Sequence, residues 1–263
     1  MTTQADDVVA GFTLTNDEVT FYQRYGYLVL PGWVREDALP GLRDDVYAIM
    51  AARGFSRERL NHANETADKL RQASEYLRGS HLDRLINGAG TLRLASCLIG
   101  GPAIRYLPFT AVKSGGGGGQ FHFHQDNNYT PHEPALGSLN IWVALVDMTP
   151  ENGCLMMAPE SHRQGTWDAE ATGDGDTHRK VRVTPANVLP LRMRAGDAVA
   201  FTRLTVHGSG PNTTGAARLA YALQYHRDDV KYLDRSTDDW KRLADEPRFQ
   251  TPPLAALPAA PGT

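Results

Sequence analysis

Gln120-Phe121-His122-Phe123-His124-Gln125-Asp126-Asn127-Asn128 alternates aromatic and polar side chains with a period of two, the pattern of a half-buried β-strand. Residues two apart on a strand project to the same side. His124 and Asp126 are therefore expected to share a face with His122 and Asn128, while Phe121, Phe123 and Gln125 turn away. Two other H-x-D triplets occur. His81-Leu82-Asp83 lies among helically spaced apolar residues (Leu82, Leu85, Ile86), and His226-Arg227-Asp228 contains the last histidine of the chain. Only 124–126 combines a strand-like setting with a later histidine, His207, and an arginine, Arg218, placed to complete a site. Two imidazoles and one carboxylate can hold one face of an octahedral metal and leave the other open, the ligand set of non-haem Fe(II) oxygenases. The planar fork of Arg218 suits an acidic co-substrate bound bidentately.

Outward from this stretch, strand-like segments dominate from Ala103 onwards, at about 103–112, 120–128, 138–147, 154–158, 188–194, 198–206 and 217–226. Helices come earlier. Thr15-Asn16-Asp17-Glu18 reads as a capping box opening a helix that ends near Gly26. A second helix starts at about Asp37, with Ala38, Leu42, Val46 and Ile49 on one face and Pro40 in its first turn. Further helical segments are expected at about 66–78 and 82–98. Helices followed by a long antiparallel run predict a mainly β fold with flanking α, a double-stranded β-helix (jelly roll, cupin-like) buttressed by N-terminal helices. One domain is expected over residues 1–250, then a loose Pro- and Ala-rich tail at 251–263. On the segment 217–226, Arg218, Ala220, Ala222, Gln224 and His226 should face the interior, and Leu219, Tyr221, Leu223 and Tyr225 the helices.

Composition sets the outer bounds. A chain of 263 residues with 41% hydrophobic content can bury one sizeable core. A net charge of −3 argues against nucleic acid as a partner, which calls for a basic face. Cys97 and Cys154 are far apart in sequence and read as buried thiols rather than a disulfide. No apolar leader segment or long apolar run is present, so a cytoplasmic protein without membrane contact is expected, as a monomer or homodimer acting on a small molecule. Gly115 to Gly119 lack the G-K-[ST] ending of a phosphate loop and read as a flexible rim loop; Lys113 before them is expected at the surface. Asp174-Gly175-Asp176 resembles part of a calcium loop but has no acidic partner at the right spacing. The long polar segment 160–186 is a candidate lid.

Further motifs narrow the reading. Ser138-Leu139-Asn140-Ile141-Trp142-Val143-Ala144-Leu145-Val146-Asp147, Glu151-Asn152-Gly153-Cys154-Leu155 and Pro159-Glu160-Ser161-His162 follow the H-x-D in order. With Phe21-Tyr22-Gln23-Arg24-Tyr25-Gly26-Tyr27-Leu28-Val29-Leu30 near the start, they resemble the phytanoyl-CoA dioxygenase family over roughly residues 13 to 230. The resemblance implies that His124, Asp126 and His207 bind iron and that Arg218 binds the distal carboxylate of 2-oxoglutarate. It implies that Ser209 assists that carboxylate and that Trp142 lines the same co-substrate. Phe109 falls where the family often has a methionine near 2-oxoglutarate. Glu160 departs from the family's glycine in P-G-S-H. Asp126 is retained, whereas halogenating relatives lack this carboxylate.

The expected cofactors are thus Fe(II), 2-oxoglutarate and O2, and the expected reaction is hydroxylation of an unactivated C–H bond with release of succinate and CO2. Desaturation, cyclisation and epimerisation are alternatives with the same cofactors. His122, Asn128, Arg203 and Gln224 are the candidate substrate contacts, suggesting a small polar molecule that could be acidic. Two rivals are a zinc hydrolase, which leaves Arg218 and Ser209 without a duty, and a non-catalytic metal-binding cupin-like protein, which should have lost part of the set.

Overall fold

A computed structural model of the chain describes residues 8–61, 72–173 and 178–258. Among the described residues, five α-helices precede most of the strands: α1 (Asn16–Tyr25), α2 (Leu39–Ala52), α3 (Arg57–Leu60), α4 (His81–Asn87) and α5 (Ala89–Ile99). The capping box forms as expected, with Thr15 and Glu18 satisfying each other's backbone N–H and Gly26 closing α1 at φ 82°. In α2, Leu42, Val46 and Ile49 are buried and Pro40 sits in the first turn. The single helix expected over 82–98 is two, because Gly88 is extended (φ −63°, ψ 143°) and interrupts it. Of the segment 66–78, residues 66–71 lie outside those described. The remainder is not helical: Thr110 N–H donates to the Ala73 carbonyl and Ala73 N–H to the Thr110 hydroxyl, drawing this stretch against a strand.

The strands are β1 (Tyr27–Leu30), β2 (Ile104–Lys113), β3 (Phe121–His124), β4 (His132–Glu133), β5 (Ser138–Ala144), β6 (Leu155–Met157) and β7 (Ala169–Ala171). They continue with β8 (Arg179–Val181), β9 (Leu189–Pro190), β10 (Ala198–Thr202), β11 (His207–Ser209), β12 (Arg218–His226), β13 (Lys231–Asp234) and β14 (Asp239–Arg242). A five-stranded sheet runs β1-β10-β5-β12-β2 and a four-stranded sheet β3-β11-β6-β9, with antiparallel neighbours. One core layer joins the helices to the large sheet through Leu219, Tyr221, Leu223 and Tyr225. The other fills the space between the sheets, where Trp142, Ala220 and Ala222 meet Leu155 and Met157. This is the expected jelly roll with helical buttress, and β12 alternates as expected.

Several boundaries differ from expectation. The strand expected over 120–128 stops at His124, because residues 126–128 form a 3-10 turn in which Asn127 N–H donates to the Arg203 carbonyl. Within the segment 188–194 only Leu189–Pro190 forms a strand, since proline has no N–H to continue a ladder, and Met193 adds an isolated antiparallel bridge to Met148. Nor is the tail loose where it is described. Leu254 N–H donates to the Tyr76 carbonyl, Arg78 N–H to the Leu254 carbonyl, and Leu257 packs on the helical core. Cys154 is buried but Cys97 is exposed, and both are free. No helix among the described residues is long and apolar enough to cross a membrane.

Candidate metal and co-substrate site

The site begins with strand pairing. In the ladder between β3 and β11, His207 stands opposite His124, so two residues far apart in sequence become neighbours with ring centroids 4.3 Å apart. Each imidazole has its Nδ1 beside a carbonyl two residues earlier: His124 beside His122 at 2.7 Å and His207 beside Thr205 at 3.0 Å. Donation to these carbonyls fixes the tautomer that leaves both Nε2 atoms as acceptors toward the cavity. Asp126 opens the 3-10 turn after β3 and brings Oδ1 to 3.9 Å from His124 Nε2 and 3.8 Å from His207 Nε2. Its other oxygen accepts from the Asn140 amide at 3.3 Å. The three ligand atoms lie within 4.8 Å of one another, close enough to hold one ion.

Charge favours a cation here. Burial, then the neighbouring His207, pushes His124 down to about 3, so it stays neutral and able to ligate. Burial alone would raise Asp126, but His207, Arg203 and His124 together bring it below its ordinary value. A buried carboxylate beside the two Nε2 atoms that the backbone carbonyls leave facing the cavity is a set of acceptors converging on one point.

The same triad lines a cavity of about 530 Å³ that also takes in Phe109, Trp142, Ser209, Arg218, Arg203 and Gln224. Arg218, the first residue of β12, is buried, and its guanidinium lies 5.1 Å from the Trp142 ring centroid. Burial lowers it to about 9, which leaves it charged at neutral pH. Its Nε has no hydrogen-bond partner, and among the described residues no carboxylate pairs with it. A buried, uncompensated guanidinium facing a cavity suits a carboxylate supplied from outside.

Lys113, expected at the surface, is instead fully buried behind this arginine. It is the register partner of Arg218 on β2, and its Nζ donates to Ser209 Oγ at 2.7 Å and to the Gly210 carbonyl. The N-G-x-L turn makes room for it. Gly153 has φ 74°, and a Cβ there would lie 2.4 Å from the Gly210 carbonyl oxygen and 2.9 Å from Lys113 Nζ.

Other expected contacts move. Between the paired positions His207/His124 and Ser209/Phe121, β3 has one residue more than β11, a bulge that reverses the alternation. Phe121 consequently lines the cavity, whereas His122 is exposed and does not. Asn128 is buried but turned away from the cavity lining; its amide donates to the Trp167 carbonyl and its Oδ1 accepts from Gln125 N–H.

Gln125 was expected only to point away from the metal face, and its role is larger. Fully buried, it donates to the carbonyls of Gly165 (2.9 Å) and Leu204 (2.6 Å) and accepts from Trp167 N–H (2.7 Å). One amide thus ties the 124–126 turn to the segment leading into His207 and to the base of the 160–186 region. Asn127 adds a bond to Thr166. That region holds the β7–β8 hairpin, with Asp174, Gly175 and Asp176 outside the described residues. The Pro159-Glu160-Ser161-His162 motif works alongside. Ser161 Oγ accepts from Val206 N–H, one residue before the second ligand, and His162 packs so closely on Gly26 that a Cβ there would lie 2.4 Å from its ring.

The chain is similar to known proteins. The profile of the phytanoyl-CoA dioxygenase family matches residues 22–220. A methylphosphonate hydroxylase of Gimesia maris is 30% identical over 217 residues, 81% of each chain. An L-proline trans-4-hydroxylase of Streptomyces griseoviridis is 28% identical over 78% of this chain and 84% of its own. Among solved structures, EvdO2 of Micromonospora carbonacea in complex with 2-oxoglutarate superposes with a TM-score of 0.68 at 20% identity, covering 92% of this chain and 98% of the other. With the profile spanning most of its length, this chain belongs to the phytanoyl-CoA dioxygenase family.

Proposed function

We propose that this protein is an Fe(II)- and 2-oxoglutarate-dependent oxygenase that hydroxylates an unactivated C–H bond of a small polar molecule. The observation that carries the reading is the convergence, in one cavity, of two imidazole nitrogens and a carboxylate with a buried arginine that has no ion pair among the described residues. His124, Asp126 and His207 would hold the iron, and the donor set fits it: two nitrogens and one oxygen, with a face left open. Arg218 would receive the distal carboxylate of 2-oxoglutarate, aided by the Ser209 hydroxyl, with Trp142 and Phe109 as walls. When bound, iron and 2-oxoglutarate together couple O2 reduction to oxidative decarboxylation, giving succinate, CO2 and one oxygen atom inserted into the substrate.

This chain's own residues supply orientation and exclusion of water. The His122 and Thr205 carbonyls hold the two imidazoles in the ligating tautomer. Asn140 fixes the Asp126 carboxylate, and Phe121, Phe201 and Leu155 close the apolar wall of the cavity. Hydroxylation is favoured over the other outcomes because the relatives at 30% and 28% identity are named as hydroxylases. A zinc hydrolase would have no use for a buried Arg218.

Anaerobic titration with Fe(II) and then 2-oxoglutarate tests the proposal through the weak visible charge-transfer band of the chelate. A band that saturates with one 2-oxoglutarate per iron, followed by O2-dependent succinate release, is the expected result. No band at saturating concentrations would sink the reading.

A further inference from the structure

Arg203 is a second buried guanidinium in the same cavity, 4% exposed. Its Nη2 donates to the carbonyls of Asp126 (2.9 Å) and Thr130 (3.1 Å), and the group lies 5.5 Å from the Tyr106 ring centroid. These contacts lock it in place but neutralise nothing, since carbonyls carry no formal charge. Its Nε is buried without a partner, and no described carboxylate forms an ion pair with it.

The charge inventory of the cavity is unbalanced. Of its described charged side chains, Arg53 is paired with Glu75 at 2.6 Å, leaving Arg203 and Arg218 against Asp126 alone, a net charge of +1. Fe(II) and the 2-oxoglutarate dianion cancel each other, so the loaded site keeps the excess. Two buried guanidinium groups share the single carboxylate of Asp126, and an anionic substrate would balance the charge left over. Position separates the two arginines. Arg218 starts β12, whereas Arg203 lies over Tyr106, the register partner of Gln224 six residues further along that strand, or roughly 20 Å at ~3.3 Å per residue. Gln224 lines the cavity there and offers an amide donor.

We infer that Arg203, with Gln224 beside it, forms an anion subsite, so that the substrate is a small molecule bearing one oxyanion group, a carboxylate or a phosphonate. The inference rests on the oxygenase reading above and deepens it. The group is held at Arg203 and the carbon to be oxidised is presented toward the triad, whose Asp126 is the residue that Arg203 grips by its carbonyl. Arg203 is thereby a specificity determinant rather than a metal or co-substrate contact.

The test is calorimetric titration of protein loaded anaerobically with Fe(II) and 2-oxoglutarate. The probes are short carboxylates and phosphonates, L-proline and methylphosphonate among them, beside their neutral amides and sulfones. The chelate band is recorded on the same samples. Expected are anions binding at least tenfold more tightly than their neutral counterparts, and at least a tenfold loss in Arg203→Met with the band retained. A smaller loss is expected in Gln224→Leu, which spares the Asp126 contact should Arg203→Met fold poorly. The carboxylate and phosphonate arms decide which oxyanion is preferred. An intact band with no anion binding, or with neutral probes bound equally well, overturns the subsite and leaves the oxygenase reading standing. Absence of the band overturns both.

Discussion

Lys113 donates to Ser209 Oγ at 2.7 Å from a fully buried position directly across the sheet from Arg218. A lysine that spends its donors on a hydroxyl and a carbonyl leaves the Ser209 hydroxyl proton free to turn toward the cavity. It also places a second potential positive charge behind the proposed carboxylate site, at the end opposite Arg203.

Burial, followed by the charge of Arg218, lowers Lys113 to about 6, against about 10.4 for lysine in an unfolded chain. Between these values the unfolded state binds the extra proton and the folded state does not, so folding stability rises with pH across that window. The slope is at most about 1.4 kcal/mol per pH unit. Urea midpoints of the apo protein between about pH 6.5 and 9 should climb, and Lys113→Met should flatten the climb. Equal slopes in both proteins would mean that Lys113 is charged when folded.

Arg218→Lys retains the charge and removes the planar fork. The expected outcome is about 10- to 100-fold weaker 2-oxoglutarate binding, the worth of one charge-assisted hydrogen bond. It is read from the chelate band at fixed Fe(II). Fe(II) affinity itself should change little, because Arg218 makes no bond to the triad.

Gln125→Leu removes three hydrogen bonds from a fully buried amide and leaves the Gly165 and Leu204 carbonyls and Trp167 N–H unpaired. A loss of about 2–4 kcal/mol in unfolding free energy is expected. Metal affinity should fall about 10- to 100-fold, since Gln125 joins the two ligand-bearing segments. Competition with a chromogenic chelator checks the second effect; unchanged affinity would confine Gln125 to stability.

Glu160 adopts φ 64°, a left-handed conformation that costs a non-glycine residue about 1–2 kcal/mol. Its ion pairs with Arg24 (3.8 Å) and Arg163 (3.6 Å) are solvent-exposed and worth little. Glu160→Gly relieves the strain but adds about 0.5–1 kcal/mol of chain entropy to the unfolded state. The net expectation is stabilisation by up to about 1 kcal/mol, measured as a higher thermal midpoint.

The capping box, the interior and exterior alternation of β12 and the rough positions of several strands were legible because each depends on residues close in sequence. The bulge in β3 was not. Nothing within Gln120–Asn128 signals that Ser209 pairs with Phe121 rather than His122, so His122 was expected in the site and Phe121 outside it. Lys113 misled for a related reason. Its partners, Ser209 and Gly210, lie nearly a hundred residues away, and without them a lysine before five glycines reads as solvent-exposed. Gln125 carried no signal beyond its neighbours, since its bonds join three separate segments.

What the sequence determined by itself was the inventory: two histidines, an aspartate and an arginine in an order that points to iron and 2-oxoglutarate, on a chain patterned for a jelly roll. Tertiary structure decided which of the remaining polar residues face the cavity. That choice depends on strand register, and a one-residue slip exchanges the two faces of a strand. It depends equally on charge balance summed across segments distant in sequence, through which Arg203 stands out as a buried arginine without an ion pair among the described residues.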